Sequence, residues 1–282
     1  MSVPSWLRIL LLVLSFASFL PQLRLLWVQR DSSGISLYYV LFNLLVATEQ
    51  FTLSFFFVVN HRFEDTQVFV HTPPDVGDIL NLTQFAVVWA LWLMIFAACL
   101  TLPSDRDSDR PNLRATVSAI LASFLFISVI PVVFDAVVND PHDTYHKWLL
   151  DPFLNAHTTL VNPVVTVLGI YAFIVQACEI LARPSGPGGS GALSLVGLAV
   201  QAIVFALLAL AWLGRLAFPW EELAGRVNLL VLITWVQMVG FVPLDSAVFA
   251  VGQAILLWLA LRRAWGGSSG MTAGETDPLL TG

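Results

Sequence analysis

Residues 19–36 read F-L-P-Q-L-R-L-L-W-V-Q-R-D-S-S-G-I-S. An apolar helix arrives from the N-terminus, meets Pro21-Gln22 near its end and stops in a short Arg/Asp/Ser/Gly turn. Proline inside a helix removes one backbone donor and crowds the carbonyl four residues back, here that of Ala17. In lipid such a carbonyl needs a partner from a neighbouring helix or from water, so the proline belongs against protein or a cavity. Ser32-Ser33-Gly34 supplies the turn, and a second apolar helix starts from Ile35-Ser36.

The rest of the chain has the same character. Of its 282 residues 57% are hydrophobic and 11% charged, with a mean hydropathy of +0.81. Water-soluble domains carry roughly twice that charged fraction. A membrane span needs about 20 apolar residues, and such runs recur throughout, so the sequence is that of a polytopic membrane protein. The net charge of −6 argues against a nucleic-acid partner. Cys99 and Cys178 lie in apolar runs and read as small buried hydrophobes rather than a disulfide pair.

Helices are expected at about Ser5 to Val28, Ile35 to Val59, Ile79 to Leu102, Leu113 to Val138, Thr158 to Leu181 and Ala192 to Leu213. The last stretch offers two apolar pieces, Arg226 to Val242 and Ser246 to Leu261, joined at Pro243-Leu244-Asp245. Either both cross the membrane, or the first is a lumenal or re-entrant segment. Charge decides for seven crossings. With a lumenal N-terminus, eight of the thirteen basic residues (Arg24, Arg30, Arg106, Arg110, Arg114, Arg183, Arg262, Arg263) fall on the cytosolic side. That is the expected bias, and an eighth crossing erases it. The tail E-T-D-P-L-L, with Glu275 four residues before Leu279-Leu280, resembles the acidic dileucine signal that cytosolic sorting adaptors read.

The opening pattern recurs. Ser36 is followed by Asn43, seven residues on, and Ser194 by Gln201 at the same spacing. A glycine precedes each serine (Gly34, Gly191), and further back a glutamine lies late in an apolar helix (Gln22, Gln176). The third helices match more loosely, around Gln84 and Gln253. The expected fold is all-α and transmembrane: seven helices forming two parallel three-helix repeats, helices 1–3 and 5–7, joined by helix 4. Residues 1–102 are the first repeat, 103–157 the linker helix and a lumenal loop, 158–263 the second repeat and 264–282 a cytosolic tail.

These features resemble the PQ-loop family over about Leu7 to Arg263. The resemblance implies a 3+1+3 bundle, often in lysosomal or vacuolar membranes, exporting amino acids with protons. Its motif and hinge positions fall on Pro21, Gln22, Gly34, Ser36, Gln176, Gly191 and Ser194. The second copy departs from the family in having Val175 where proline is usual.

Polar spacing adds an independent reading. Two helical turns take about 7.2 residues, so residues seven apart share a face. Ser36, Asn43 and Gln50 line helix 2, Asn162, Gly169 and Gln176 helix 5, and Ser194 and Gln201 helix 6. These stripes are expected to face one another and form a polar lining. As a solute pathway the candidates are Asn43, Gln50, Gln84, Asn162, Gln201 and Gln253; the alternative is hydrogen bonding between helices for stability alone. Glu49 lies near the middle of helix 2, where an ionised carboxylate is costly without a partner. That makes it the candidate proton-coupling acid, the alternative being a permanently protonated acid bonded to another helix. Asp135 and Asp245, placed near helix ends where they could be wet, are second choices. Glu179 is expected to snorkel or to pair with Arg183.

All five histidines (His61, His71, His142, His146, His157) are placed in lumenal loops, as pH sensors or as ordinary loop composition. His142, His146, Asp140 and Asp143 make a weak zinc pattern, and no metal or other cofactor is expected. No nucleophile–base–acid set or phosphate-cradling loop is found, so an enzyme is not expected. The leading function is an organellar carrier exporting a small polar solute, an amino acid first, with protons. The alternative is a non-transporting receptor or scaffold on the same fold.

Overall fold

The structure, a computed structural model, describes residues 3–59, 71, 74–104, 112–138, 152–183, 193–215, 232–233 and 235–268. Among the described residues, seven helices are long and apolar enough to cross a membrane: α1 (Ser5–Gln29), α2 (Leu37–Val59), α3 (Val76–Thr101), α4 (Leu113–Val138), α5 (Pro152–Ala182), α6 (Leu195–Arg215) and α7 (Phe241–Ser268). No strand occurs among the described residues. The chain is a multi-pass membrane protein. Large apolar residues such as Phe126, Val167 and Leu210 stay more than half exposed, because their solvent is lipid.

The helix ends follow local chemistry. Pro21 is carried inside a continuous α1, which closes at Arg30 in the left-handed conformation (φ 50°), its N–H bonded to the Leu26 carbonyl. In the turn, the Asp31 carboxylate accepts from the Ser33 N–H (2.9 Å) and hydroxyl (2.7 Å). Ser32 bonds through both N–H and hydroxyl to the Pro103 carbonyl. Gly34 takes φ 93°, which a side chain would strain.

Two expected boundaries are corrected. α5 begins at Pro152 rather than Thr158. Pro243-Leu244-Asp245 is not a joint, because α7 runs through it from Phe241. The cause is the same in both helices. A π turn, His157–Val161 in α5 and Val236–Gly240 before α7, sits just ahead of Pro163 or Pro243. Proline cannot donate to the carbonyl four back and crowds it; the wider π turn relieves both problems without ending the helix.

α1 packs on α3 and α6, α5 on α2 and α7; α3 lies against α2, and α7 against α6. α4 rests on α2. Mid-bundle, six aromatic rings from six helices touch in a closed circuit: Phe19, Trp92, Tyr39, Phe173, Phe249 and Phe205. Ring centroids along it are 4.4–6.2 Å apart, mostly edge to face, the geometry that the aromatic quadrupole favours. Gly252 makes room for one member, since a Cβ there would stand 2.4 Å from the Phe173 ring.

Candidate functional site

Alternating crossings place Arg30–Ile35, the ends of α3 and α5 and the starts of α4 and α6 at one end of the bundle, called the loop end. The other end carries the start of α1, α3 and α7. The two ends have different polar chemistry.

At the loop end the two repeat-spaced glutamines tie helices together. Gln22 of α1 accepts the Ser194 N–H (2.8 Å), and the Ser194 hydroxyl accepts the Gly197 N–H (3.1 Å), so Ser194 is the N-cap of α6. Gln176 of α5 accepts the Ser36 N–H (2.9 Å) ahead of α2 and donates to the Gly34 carbonyl (2.7 Å). Each glutamine therefore satisfies an orphan N–H at the start of a helix far along the chain. A chamber of about 300 Å³ nearby is lined by Ser36, Tyr38, Arg114 and Glu179, with Cys99 and Cys178 on its wall. Cys178 is exposed, not buried as expected. Glu179 pairs with Arg183 at 3.5 Å.

The far half holds the buried carboxylate–imidazole pair. Glu49 is fully buried and faces His157, whose Nδ1 lies 2.8 and 3.0 Å from the two carboxylate oxygens. His157 is thus not the loop histidine expected from sequence. It sits in the first π turn, 4% exposed, with its ring against Phe153 (4.1 Å). π turns often mark functional positions; here the turn carries the only basic side chain bonded to Glu49 among the described residues.

Beside Glu49, Gln50 donates to one Asp245 oxygen (3.0 Å), and the Thr166 hydroxyl donates to the other (2.7 Å). The expected wet Asp245 is instead buried and doubly bonded. Gln50, Asp245, Thr166, Asn43 and Gly169 line a central cavity together with Ser246, four rings of the aromatic circuit and small aliphatic side chains. It encloses about 30 Å³, enough for a water or two.

The other amides are not gathered there. The Asn43 amide donates to its own helix at Tyr39 (2.8 Å), while Gln201 lines a separate small void next to Gln22, so the two stripes do not meet in one polar lining. Gln253 donates to the Tyr39 hydroxyl (2.8 Å), and Gln84 to Ser15 (3.1 Å). Asn162 is buried at the end of the first π turn, and Asp135 is buried in α4. Gly191, Glu275, Leu279, Leu280, His61, His142 and His146 lie outside the described residues.

His71, Asp75 and Asp78 bring ligand atoms within 4.8 Å of one another. Their oxygens serve the start of α3: Asp75 accepts the Asp78 N–H (2.8 Å), and Asp78 accepts the Asp75 N–H (3.0 Å) and that of His71 (2.9 Å). Burial pushes the Asp75 carboxyl up, but the Asp78 N–H and the charges of His71 and Arg8 outweigh it and hold it below its usual range. A carboxyl whose folded value is depressed stabilises the fold above its unfolded value, about 3.9, and loses that contribution as pH falls through the folded value. Amide protection at residues 76–80, the exchange rate relative to its intrinsic value at each pH, is therefore expected to stay level from pH 7 to 5 and to fall on acidification below about 4. A flat profile down to pH 3 contradicts this cap.

No family model, curated protein or solved structure matches the chain.

Proposed function

We propose that the protein is a carrier for a small polar solute, an amino acid first, coupled to protons through Glu49 and His157. The observation that carries the reading is this buried carboxylate–imidazole pair, one residue from the Gln50–Asp245–Thr166 network on the central cavity. With one shared proton the pair is neutral overall. Losing it leaves a net negative charge in a water-poor core, which is expensive. That cost is offset when the cavity opens to water or when the ammonium group of a solute arrives, and in this way proton release and solute movement become linked.

The same reading takes the chain as two parallel repeats, α1–α3 and α5–α7, in the manner of PQ-loop proteins. What supports it is reciprocity. Exchanging the halves converts the Gln22–Ser194 bond into the Gln176–Ser36 bond. It also converts the α1–α6 contact into the α5–α2 contact, and α1–α3 into α5–α7. The membrane we assign is vacuolar or lysosomal, with the N-terminus lumenal and the tail read by a cytosolic sorting adaptor. Metabolite profiling of isolated organelles with and without the protein tests both parts, since a solute that accumulates in its absence names the substrate class.

A receptor or scaffold is the second reading, favoured by the smallness of the cavity and by Val175 in place of a second proline. Saturable binding of a peptide with no solute flux decides for it. If the halves rock, Pro21 marks the larger hinge. Pro21→Ala is then expected to reduce flux about fivefold or more, and Val175→Ala to leave it within about twofold. Equal effects at the two sites contradict an asymmetric hinge.

A further inference from the structure

We propose that the far end of the bundle binds a small oxyanion, a carboxylate or a phosphate, between Arg8 of α1 and Arg215 at the end of α6. The proposal does not depend on the transport reading. Arg8 is 6% exposed; its Nε donates to the Val3 carbonyl (3.3 Å), while its Nη1 is buried without an acceptor among the described residues. Arg215 uses one nitrogen, Nη1, for Asn81 (3.2 Å) and Gln84 (2.8 Å). Its Nε and Nη2 are likewise buried without an acceptor, and its guanidinium lies 4.7 Å over the Trp212 ring. Asn81 and Gln84 lie one and two turns along α3 from Gly77, against which the Arg8 guanidinium rests, so both arginines sit on one face of α3. Two cations therefore lie along one face of α3 and together present three buried donors without an acceptor among the described residues.

The neighbouring carboxylates do not supply the missing acceptors. Asp75 and Asp78 spend their oxygens on the start of α3 and on His71, and neither bonds to an arginine. The seat is nevertheless built, because a Cβ on Gly77 would stand 2.3 Å from the Arg8 Nη1. Only a residue without a side chain leaves the guanidinium its place. A buried donor without an acceptor is costly, and repulsion between two cations adds to the cost, offset only in part at Arg8 by the nearby Asp75 carboxylate. Water satisfies donors but leaves the repulsion. An anion with two or more oxygens removes both penalties at once, and the planar guanidinium fork matches a carboxylate or phosphate.

That chemistry can come from a dissolved solute or from a lipid headgroup, and one experiment separates them. Thermal unfolding of the full chain in phosphatidylcholine nanodiscs is followed with sodium phosphate against sodium chloride at matched ionic strength. It is repeated without phosphate in nanodiscs containing phosphatidic acid. A saturable rise in Tm with phosphate assigns a soluble anion, and a rise only with phosphatidic acid assigns a headgroup. Either rise is expected to disappear in Arg215→Gln and in Gly77→Ala, the latter keeping both charges but displacing Arg8. No rise in either arm, or an equal rise in both variants, overturns the proposal.

Discussion

Glu49→Gln is expected to lose at least tenfold of proton-driven flux of a radiolabelled amino-acid mixture in proteoliposomes, while unfolding within a few degrees of the unaltered protein. The amide keeps a hydrogen bond to His157 Nδ1 and nearly the same volume, but it cannot take up or release the shared proton. His157→Ala is expected to behave differently. It leaves a fully buried carboxyl without its basic partner, and removing one member of a buried pair costs about 3 kcal/mol or more. The two variants thus separate chemistry from stability. Full proton-driven flux in Glu49→Gln removes the pair from the coupling role. A His157→Ala protein as stable as the original shows that the imidazole is not what holds the carboxyl in the core.

The second large effect is at the loop end. Gln176→Leu deletes two bonds at a fully buried position, leaving the Ser36 N–H and the Gly34 carbonyl unsatisfied. At about 1–3 kcal/mol for each orphaned group, the loss is expected to reach about 4 kcal/mol. Amide exchange over residues 32–40 is expected to rise with it. Unchanged protection at Ser36 in Gln176→Leu means that the turn holds itself.

What was legible in the sequence and what was not divide along physical lines. Six crossings follow from runs of apolar residues, a signal that sits locally in the chain, and the count of seven needs the charge bias as well. The serines were legible as helix starts for the same reason, and Gln22 and Gln176 as a matched pair by spacing. Their crossed bonding was not, since nothing local says which backbone an amide reaches 140 or 172 residues away. His157 was misplaced because P-H-D-T-Y-H upstream reads as polar loop, while the helix containing it starts at Pro152. Its partner lies 108 residues earlier. The cue available was Pro163 close behind it, which makes a π turn the natural continuation. Pro243 misled for the complementary reason: a proline in an apolar run suggests an end, and the π turn before it removes the need for one.

The crossed glutamine caps also bear on how the chain is made. At about 5–20 residues per second, the ribosome delivers Ser194 roughly 10–30 s after Gln22, 172 positions earlier. Until then α1, α2 and α3 sit in the bilayer with a glutamine side chain and a helix-start amide unmet. The early helices are therefore held only provisionally after insertion, and their final register is set when α5 and α6 enter.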